Sequence, residues 1–386
     1  MEPKQQRLLS LDVMRGITIA GMIMVNNPAS WKYVYAPLLH AKWDGITPTD
    51  LVFPFFLFIM GISTYISLKK FNFEPRKDTV IKILKRTVVI FLCGLALHWF
   101  GLSFKTWHNL ASEPISDGVR FFKSISNFEH LRISGILQRL AVTYCITALI
   151  AIFVKHKYII HIIVATLIGY FLILFFGNGF ENSEKNIICI IDRALLGKNH
   201  LLPNAIIDTG GPFGTITTAC NVLFGFWCAK LMIDEKDNLK RMLNLFIAGA
   251  ILTFAGMLLS YGCPFNKTTW TPTYVIFTTG LAATLLSLLI WIIDVKGHKR
   301  WSVFFESFGI NPLFIYVFAG VMATILNGIR FTAGGKKTNI IELFYTSVLQ
   351  PVFGNELGSL VYALLFVGFC WIIGHYLYKK KIYIKI

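Results

Sequence analysis

The chain has 386 residues, of which 55% are hydrophobic and only 15% are charged, against roughly 25% charged in soluble domains. A chain this long, with a mean hydropathy of +0.61, is excluded from the ordinary soluble classes and reads as a multi-span membrane protein. The net charge of +17 does not indicate a nucleic-acid partner, because the basic residues gather at the ends of apolar runs.

The apolar runs predict an all-α, polytopic membrane bundle, one transmembrane domain over residues 1–386. Ten spans are expected, at 8–27, 49–68, 86–104, 133–154, 158–177, 213–232, 243–261, 273–294, 303–326 and 357–378. Each approaches the ~20 residues that cross ~30 Å of hydrocarbon. No cleavable leader is expected, since residues 1–10 are polar and the first apolar run lacks a small-residue cleavage site. Basic residues recur at alternate ends: Lys4, Arg7 and Arg15, then Lys69 to Arg86, Lys155 and Lys157, Lys230 to Arg241, Lys296 to Arg300, and Lys379 to Lys385. That asymmetry places both termini in the cytoplasm and the intervening longer loops outside.

In chain order, the first span carries Asp12 and Arg15, three apart and so on one helix face. It ends at Asn26-Asn27-Pro28, a helix stop. The second span opens with Thr47, Pro48 and Asp50 as N-cap, first and third helical residues. The loop before it carries His40, Lys42, Trp43 and Asp44, so an imidazole sits at the mouth of a membrane helix, a position suited to proton transfer. Gln138 and Arg139 lie inside the fourth span, where a charge usually faces the bundle interior or a water-filled cavity. Residues 190–202, IIDRALLGKNHLL, have helical apolar spacing and are expected to lie along the membrane surface. Glu306 and Asn311-Pro312 mark an interrupted ninth helix lining a cavity, or a proline kink satisfied by its neighbours. Five of the seven cysteines sit in apolar runs. Cys189 and Cys263 fall in loops and can pair or stay free. No Cys/His spacing resembles a metal site, so no metal is expected.

The stretches RLLSLDVMRGITIAGMIMVNN (7–27) and HAKWDGITPTDLVFP (40–54) resemble the membrane core of the heparan-α-glucosaminide N-acetyltransferase family. The resemblance implies a polytopic enzyme that moves an acetyl group from cytosolic acetyl-CoA to the terminal glucosamine amine of a glycan across the membrane. It puts the catalytic histidine on His40 and the family's asparagine on Asn26. Imidazole titrates near ~6.5, which suits a base that takes the amine's proton. A side-chain amide such as that of Asn26 suits a developing oxyanion. Asp50 and Asp44 are candidates to orient His40, although capping alone also explains Asp50.

The donor would be held by Asp12, Arg15, Gln138, Arg139 and Asn311, since arginine recognises phosphate well; Arg15 serves equally as a membrane anchor. DTGGPFGTITT (208–218) keeps the aspartate and a glycine of a family Asp-Pro-Glu-Gly stretch as Asp208 and Gly211, without the glutamate. PFNKTTWTPTY (264–274) matches a family loop and offers Lys267, Trp270 and Tyr274. These, with Trp43 and Asp208, are the candidate sugar contacts; an interfacial aromatic belt is the other reading of Trp270 and Tyr274. The lysosomal members carry a further luminal region and span that this chain does not show, so the expected location is a bacterial inner membrane. The implied partners are an amino sugar, membrane lipid and, as one option, a second copy of the chain. An O-acyltransferase of a cell-surface glycan and a small-molecule transporter are the alternatives; transporters often show repeat symmetry, and no repeat is visible here.

Overall fold

The structure, a computed structural model, describes residues 8–333 and 336–384. Lys4, Arg7 and Lys385 lie outside the described residues. Fifteen helices follow in order: α1 Leu9–Asn26, α2 Pro48–Lys69, α3 Lys77–Asn109, α4 Asp117–Ile125, α5 Ile136–Phe153, α6 Ile159–Phe176, α7 Ile187–Leu196, α8 Thr215–Ile233, α9 Asn238–Leu259, α10 Pro272–Leu289, α11 Ser302–Ile310, α12 Pro312–Gly328, α13 Ile340–Phe344, α14 Gln350–Phe353 and α15 Asn355–Lys379. Among the described residues the strands are one antiparallel hairpin, β1 Arg330–Ala333 with β2 Lys336–Asn339, in the last long loop.

Eight helical segments are long and apolar enough to cross a membrane, nine if the bent pair α11–α12 counts as one. The protein is thus an integral membrane bundle of helices. The third expected span, 86–104, falls inside α3. At 33 residues that helix is about 50 Å long, well beyond one bilayer crossing, and its first turns carry Lys77, Asp78, Lys82, Lys85 and Arg86. The ninth expected span is broken: α11 and α12 meet at 86°. Pro312 opens α12, and proline suits a first helical turn but not a helix interior. Asn311 sits at the break. Its amide donates to Ile382 O and accepts from Ile384 N–H, both at 2.8 Å, and so holds the C-terminal segment.

The burial pattern sorts the helices into layers. α8 is apolar nearly all round and buried on almost every face, as a helix central to a bundle must be; α2, α5, α6, α9 and α10 pack around it. α9 buries little beyond Leu245, Ala248, Gly249 and Gly256 and leaves Leu243, Phe246, Ile251, Phe254 and Leu258 exposed, the face a lipid would cover. α2 and α8 cross at Gly61 and Gly225. A Cβ on Gly61 would strike the backbone of α8 at Val222 O, and one on Gly225 would strike the backbone of α2 at Phe58 O. Small residues permit that approach, and close packing drives helix association inside a membrane.

The crossing matters for function because it fixes the start of α2 against the starts of α5, α8 and α10. The segment at 190–202 resolves into α7 and a short turn at Lys198–His200. Ile188 and Cys189, in the first turn of α7, pack with Tyr170 and Leu174 at the end of α6. The two loop cysteines stay apart: Cys189 donates to Ile206 O, Cys263 accepts from Thr273, and all seven cysteines are free thiols.

Candidate active site

A cavity of about 260 Å³ opens at the end of the bundle where α1 finishes and α2, α5, α8 and α10 begin. Its wall takes Met22 and Asn26 from the last turn of α1, Thr49 and Asp50 from the first turn of α2, and Ile136 and Arg139 from α5. Loops bring in His40, Arg132, Gly210, Lys267 and Trp270. The N-termini of α2 and α5 thus border one space, each carrying roughly half a positive charge.

Asp50 is where local sequence rules and site chemistry meet. Its position three residues after the N-cap directs the carboxylate back over the helix start. Oδ2 accepts from the Thr47 N–H at 3.1 Å and the Ala41 N–H at 3.0 Å. Oδ1 lies 2.7 Å from His40 Nδ1 and 3.3 Å from Lys267 Nζ. Its backbone carbonyl is freed because Pro54, four residues on, has no N–H to give. The Tyr274 hydroxyl donates to that carbonyl at 2.6 Å. Tyr274 is fully buried and spends its polar tip there.

The short His40–Asp50 contact sets the imidazole's tautomer. Lys267 Nζ also stands 3.1 Å from His40 Nδ1, and one ring nitrogen does not both donate to a carboxylate and accept from an ammonium. The carboxylate is buried and can only accept, and its contact is the shorter. In the neutral ring the proton therefore sits on Nδ1 and the lone pair on Nε2. Lys267 then pairs with Asp50. Burial lowers the Lys267 ammonium from its usual range to about 8, against the pull of Asp50.

Asn26 is exposed at the cavity, with no side-chain hydrogen bond among the described residues. Asn27 performs the helix stop instead, donating its amide to Ile23 O at 2.7 Å. Arg139, which lines the same cavity, is buried. One guanidinium nitrogen donates to Gly211 O at 2.9 Å, while Nε and Nη1 are buried with no hydrogen-bond partner among the described residues. Its guanidinium lies 5.0 Å from the centre of the Trp270 ring. Trp270 has a left-handed backbone, φ +53, a strained geometry for a bulky residue. It is pinned by its indole N–H donating to Asn221 Oδ1 at 3.0 Å and its carbonyl accepting from Thr217 at 2.9 Å. Buried donors left without acceptors cost free energy, and Arg139 is among the residues that line the cavity.

The remaining candidates fall elsewhere. Asp44 accepts from Asn266 at 3.3 Å and helps tie the His40 loop to the Lys267 loop, where Gly45 N–H also donates to Phe265 O. Trp43 donates to Phe180 O at 3.0 Å and packs beside α7. Gln138 is buried against His98. Asp12 and Arg15 pair at 3.1 Å near the other end of α1. Eleven residues separate Arg15 from Asn26, about 16 Å along the axis. Asp208 is buried behind the cavity, gripping Arg132 at 2.6 Å and 3.2 Å and accepting from Ser134. Burial works to raise its carboxyl, but Arg132 and these hydrogen bonds hold it below the usual range.

Arg132 and Asp192 are absent from the sequence reading. No spacing links Arg132 to Asp208, 76 positions away. Asp192 lies on α7 with Oδ2 buried and unpartnered among the described residues, and burial raises its carboxyl to about 6.

A family profile described as heparan-alpha-glucosaminide N-acetyltransferase, catalytic, matches residues 7–210, a stretch that holds Asn26, His40, Asp50, Arg132, Arg139 and Asp208. Two curated relatives named heparan-alpha-glucosaminide N-acetyltransferase are similar, from Mus musculus and Homo sapiens. Each is 27% identical over 369 aligned positions, covering 81% of this chain and 53% and 52% of the relatives respectively. The chain thus spans about half the length of the curated relatives it matches. With more than half of its residues inside the matched profile, the chain belongs to the heparan-alpha-glucosaminide N-acetyltransferase family.

Proposed function

We propose that this protein is a membrane acetyltransferase that moves an acetyl group from acetyl-CoA to the amine of a glucosamine, free or at the end of a glycan. The observation that carries the reading is the Asp50–His40 contact of 2.7 Å at the wall of a cavity shared with Asn26 and Arg139. In the reaction the amine nitrogen bonds to the thioester carbonyl carbon, the carbon–sulfur bond breaks, and the amine's proton passes through His40 to the departing thiolate. His40 takes the proton at Nε2. Asp50 holds Nδ1–H and stabilises the imidazolium that forms. Asn26 donates its amide to the oxygen where negative charge develops.

Arg139 supplies the two uncommitted donors. Buried cationic donors suit a carbonyl or phosphate oxygen, which supports a role for Arg139 in holding the donor. Arg15, Asp12 and Asn311 are engaged elsewhere, so the donor contact rests on Arg139. The basic segments after α2, α5, α8 and α10 lie at the end opposite the cavity. They favour a cytoplasmic assignment for that end and for both termini, with His40 outside, as in a bacterial inner membrane. A single-cysteine variant near Lys380 that reacts with an impermeant reagent in intact cells would reverse the orientation. The activity is tested by incubating purified protein with labelled acetyl-CoA and glucosamine, then separating amide from ester products by mass spectrometry. Labelled N-acetylglucosamine supports the reading; no acetylated amino sugar overturns it.

A further inference from the structure

Asn221 sits two turns into α8 and is fully buried. Six residues separate it from Thr215 at the helix start, about 9 Å along the axis. An amide at that depth in an apolar bundle is costly unless its hydrogen bonds are met. Here they are met on both sides. The Trp270 indole can only donate, so its contact at 3.0 Å marks the amide oxygen as the acceptor. The amide nitrogen donates to Val275 O at 3.3 Å and lies 3.3 Å and 3.1 Å from the hydroxyls of Thr278 and Thr279, all on α10.

The two ends of this amide have different partners. The nitrogen ties α8 to α10. The oxygen has one partner among the described residues, the Trp270 indole. α8 takes hold of the same residue a second time, where Thr217 donates to the Trp270 carbonyl at 2.9 Å. One bond to the ring and one to the backbone, both from α8, thus keep Trp270 in its left-handed conformation, φ +53. A bulky residue stays in that region only when its surroundings over-determine it, and such strain gathers at functional sites.

What the held ring supports is Arg139. The guanidinium lies 5.0 Å from the ring centre, and an indole is the best aromatic partner for a cation. Phe53 and Tyr274 pack on the same indole in T-shaped contacts, with centroids 5.8 Å and 5.0 Å away. Gly214 leaves room for the pair at the start of α8. A Cβ there would lie 2.9 Å from Arg139 Nη2 and 3.8 Å from Trp270 Cβ.

We propose that Asn221 is a positioning residue for acetyl-CoA: by fixing the Trp270 ring it keeps Arg139, with its uncommitted Nε and Nη1, in place at the cavity. The proposal rests on the reading under Proposed function that Arg139 holds acetyl-CoA. With the indole released, Arg139 loses the ring beside it and keeps its bond to Gly211 O.

The test uses the full-length protein and the variants Asn221→Leu, Trp270→Phe, Arg139→Met and the double variant Asn221→Leu/Arg139→Met. Trp270→Phe deletes the same hydrogen bond from the other side, and it carries the test if Asn221→Leu does not fold. Rates are measured against acetyl-CoA and against glucosamine, and calorimetry measures acetyl-CoA binding without acceptor. Asn221→Leu and Trp270→Phe should each raise KM and Kd for acetyl-CoA by about tenfold, within the ~10²-fold that a ~1 Å misplacement can cost. KM for glucosamine should not move. In the Arg139→Met background, Asn221→Leu should add nothing further, because both act through one contact. A plain tie between α8 and α10 would instead lower the unfolding temperature of Asn221→Leu and leave acetyl-CoA affinity at the wild-type value. That result, or additive losses in the double variant, overturns the positioning role and leaves the acetyltransferase reading standing. The expected pattern in acetyl-CoA affinity with no acetylation of any sugar keeps the positioning role and overturns the acetyltransferase reading. A wild type that does not bind acetyl-CoA overturns both.

Discussion

Two arginines sit inside the apolar bundle, one at each end, and the protein treats them differently. Arg15, near the start of α1, gives one nitrogen to Asp12 and to Gly309 O, both at 3.1 Å, and another to Ser63 Oγ at 2.8 Å. Arg139, near the start of α5, has one hydrogen bond, to Gly211 O, and two donor nitrogens without acceptors among the described residues. Both looked alike in the sequence, as cations in apolar runs. A satisfied cation holds helices together, here α1 to α2 and α11. An unsatisfied one is a standing cost that persists where something else needs those donors.

The largest effect should follow from His40, which lines the same cavity as Arg139. His40→Ala removes the proposed base, and general acid–base help is worth ~10²–10⁴-fold in rate, so kcat should fall by at least the lower figure. His40 is half-exposed in a loop, so the variant should unfold within a degree or two of the wild type, about the size of an ordinary surface substitution. A large loss of thermal stability in this variant would blur the distinction between the two ends.

The paired arginine substitutions sharpen the comparison directly. Arg139→Met should lower kcat/KM by roughly 10²-fold, the scale of losing one preorganised donor. It should cost little stability, because it removes two unmet donors with the charge. Arg15→Met should do the reverse. Acetylation per folded molecule should stay near wild type, while stability falls by about 1–3 kcal/mol as Asp12 and Gly309 lose their donor. Rates and thermal unfolding of both purified variants decide the matter, and matched losses in the two would end the distinction.

Lys267 gives a smaller effect that depends on pH. With its ammonium lowered to about 8, it is cationic at neutral pH, and its charge opposes a second positive charge on the imidazole 3.1 Å away. Lys267→Met removes that opposition. The acid limb of the pH–rate profile should move to higher pH. An acid limb that stays in place would refute this role.

The smallest effect belongs to Asp192. Its folded carboxyl titrates at about 6, raised by burial from 3.8. The folded state therefore holds the proton more tightly than the unfolded chain. The associated stability is present in full below the unfolded value and is lost as pH rises through 6. Asp192→Asn cannot ionise. It should match the wild type in unfolding temperature near pH 4 and exceed it at pH 7.5, with a limit of ~3 kcal/mol. A difference independent of pH would remove the assignment.

What was legible in the sequence was local. Thr47-Pro48-Asp50 specifies its helix start within four residues, and the structure has that start with Asp50 placed to reach the His40 loop. Asn311-Pro312 correctly marks a break, because proline acts on its own backbone. The illegible part is made of long-range satisfaction. Pro54 frees a carbonyl that Tyr274 fills from another helix, Asn27 rather than Asn26 ends α1, and Asp208 grips Arg132. Each pairing depends on which helix starts share one end of the bundle, and that follows from packing at places such as Gly61 and Gly225. Tyr274 and Trp43 were read as site contacts by residue type, whereas their polar groups donate to the backbone carbonyls of Asp50 and Phe180, and Asp44, read as orienting His40, gives one carboxylate oxygen to Asn266.

The central claim is that His40 moves a proton while the acetyl group passes directly to the amine. Rapid-quench mass analysis of the protein with acetyl-CoA and no acceptor tests it most directly. The account predicts no acetyl adduct on His40 at any time, with acetylated sugar appearing once acceptor is added. A stoichiometric adduct on His40, formed and consumed at the turnover rate, would contradict it.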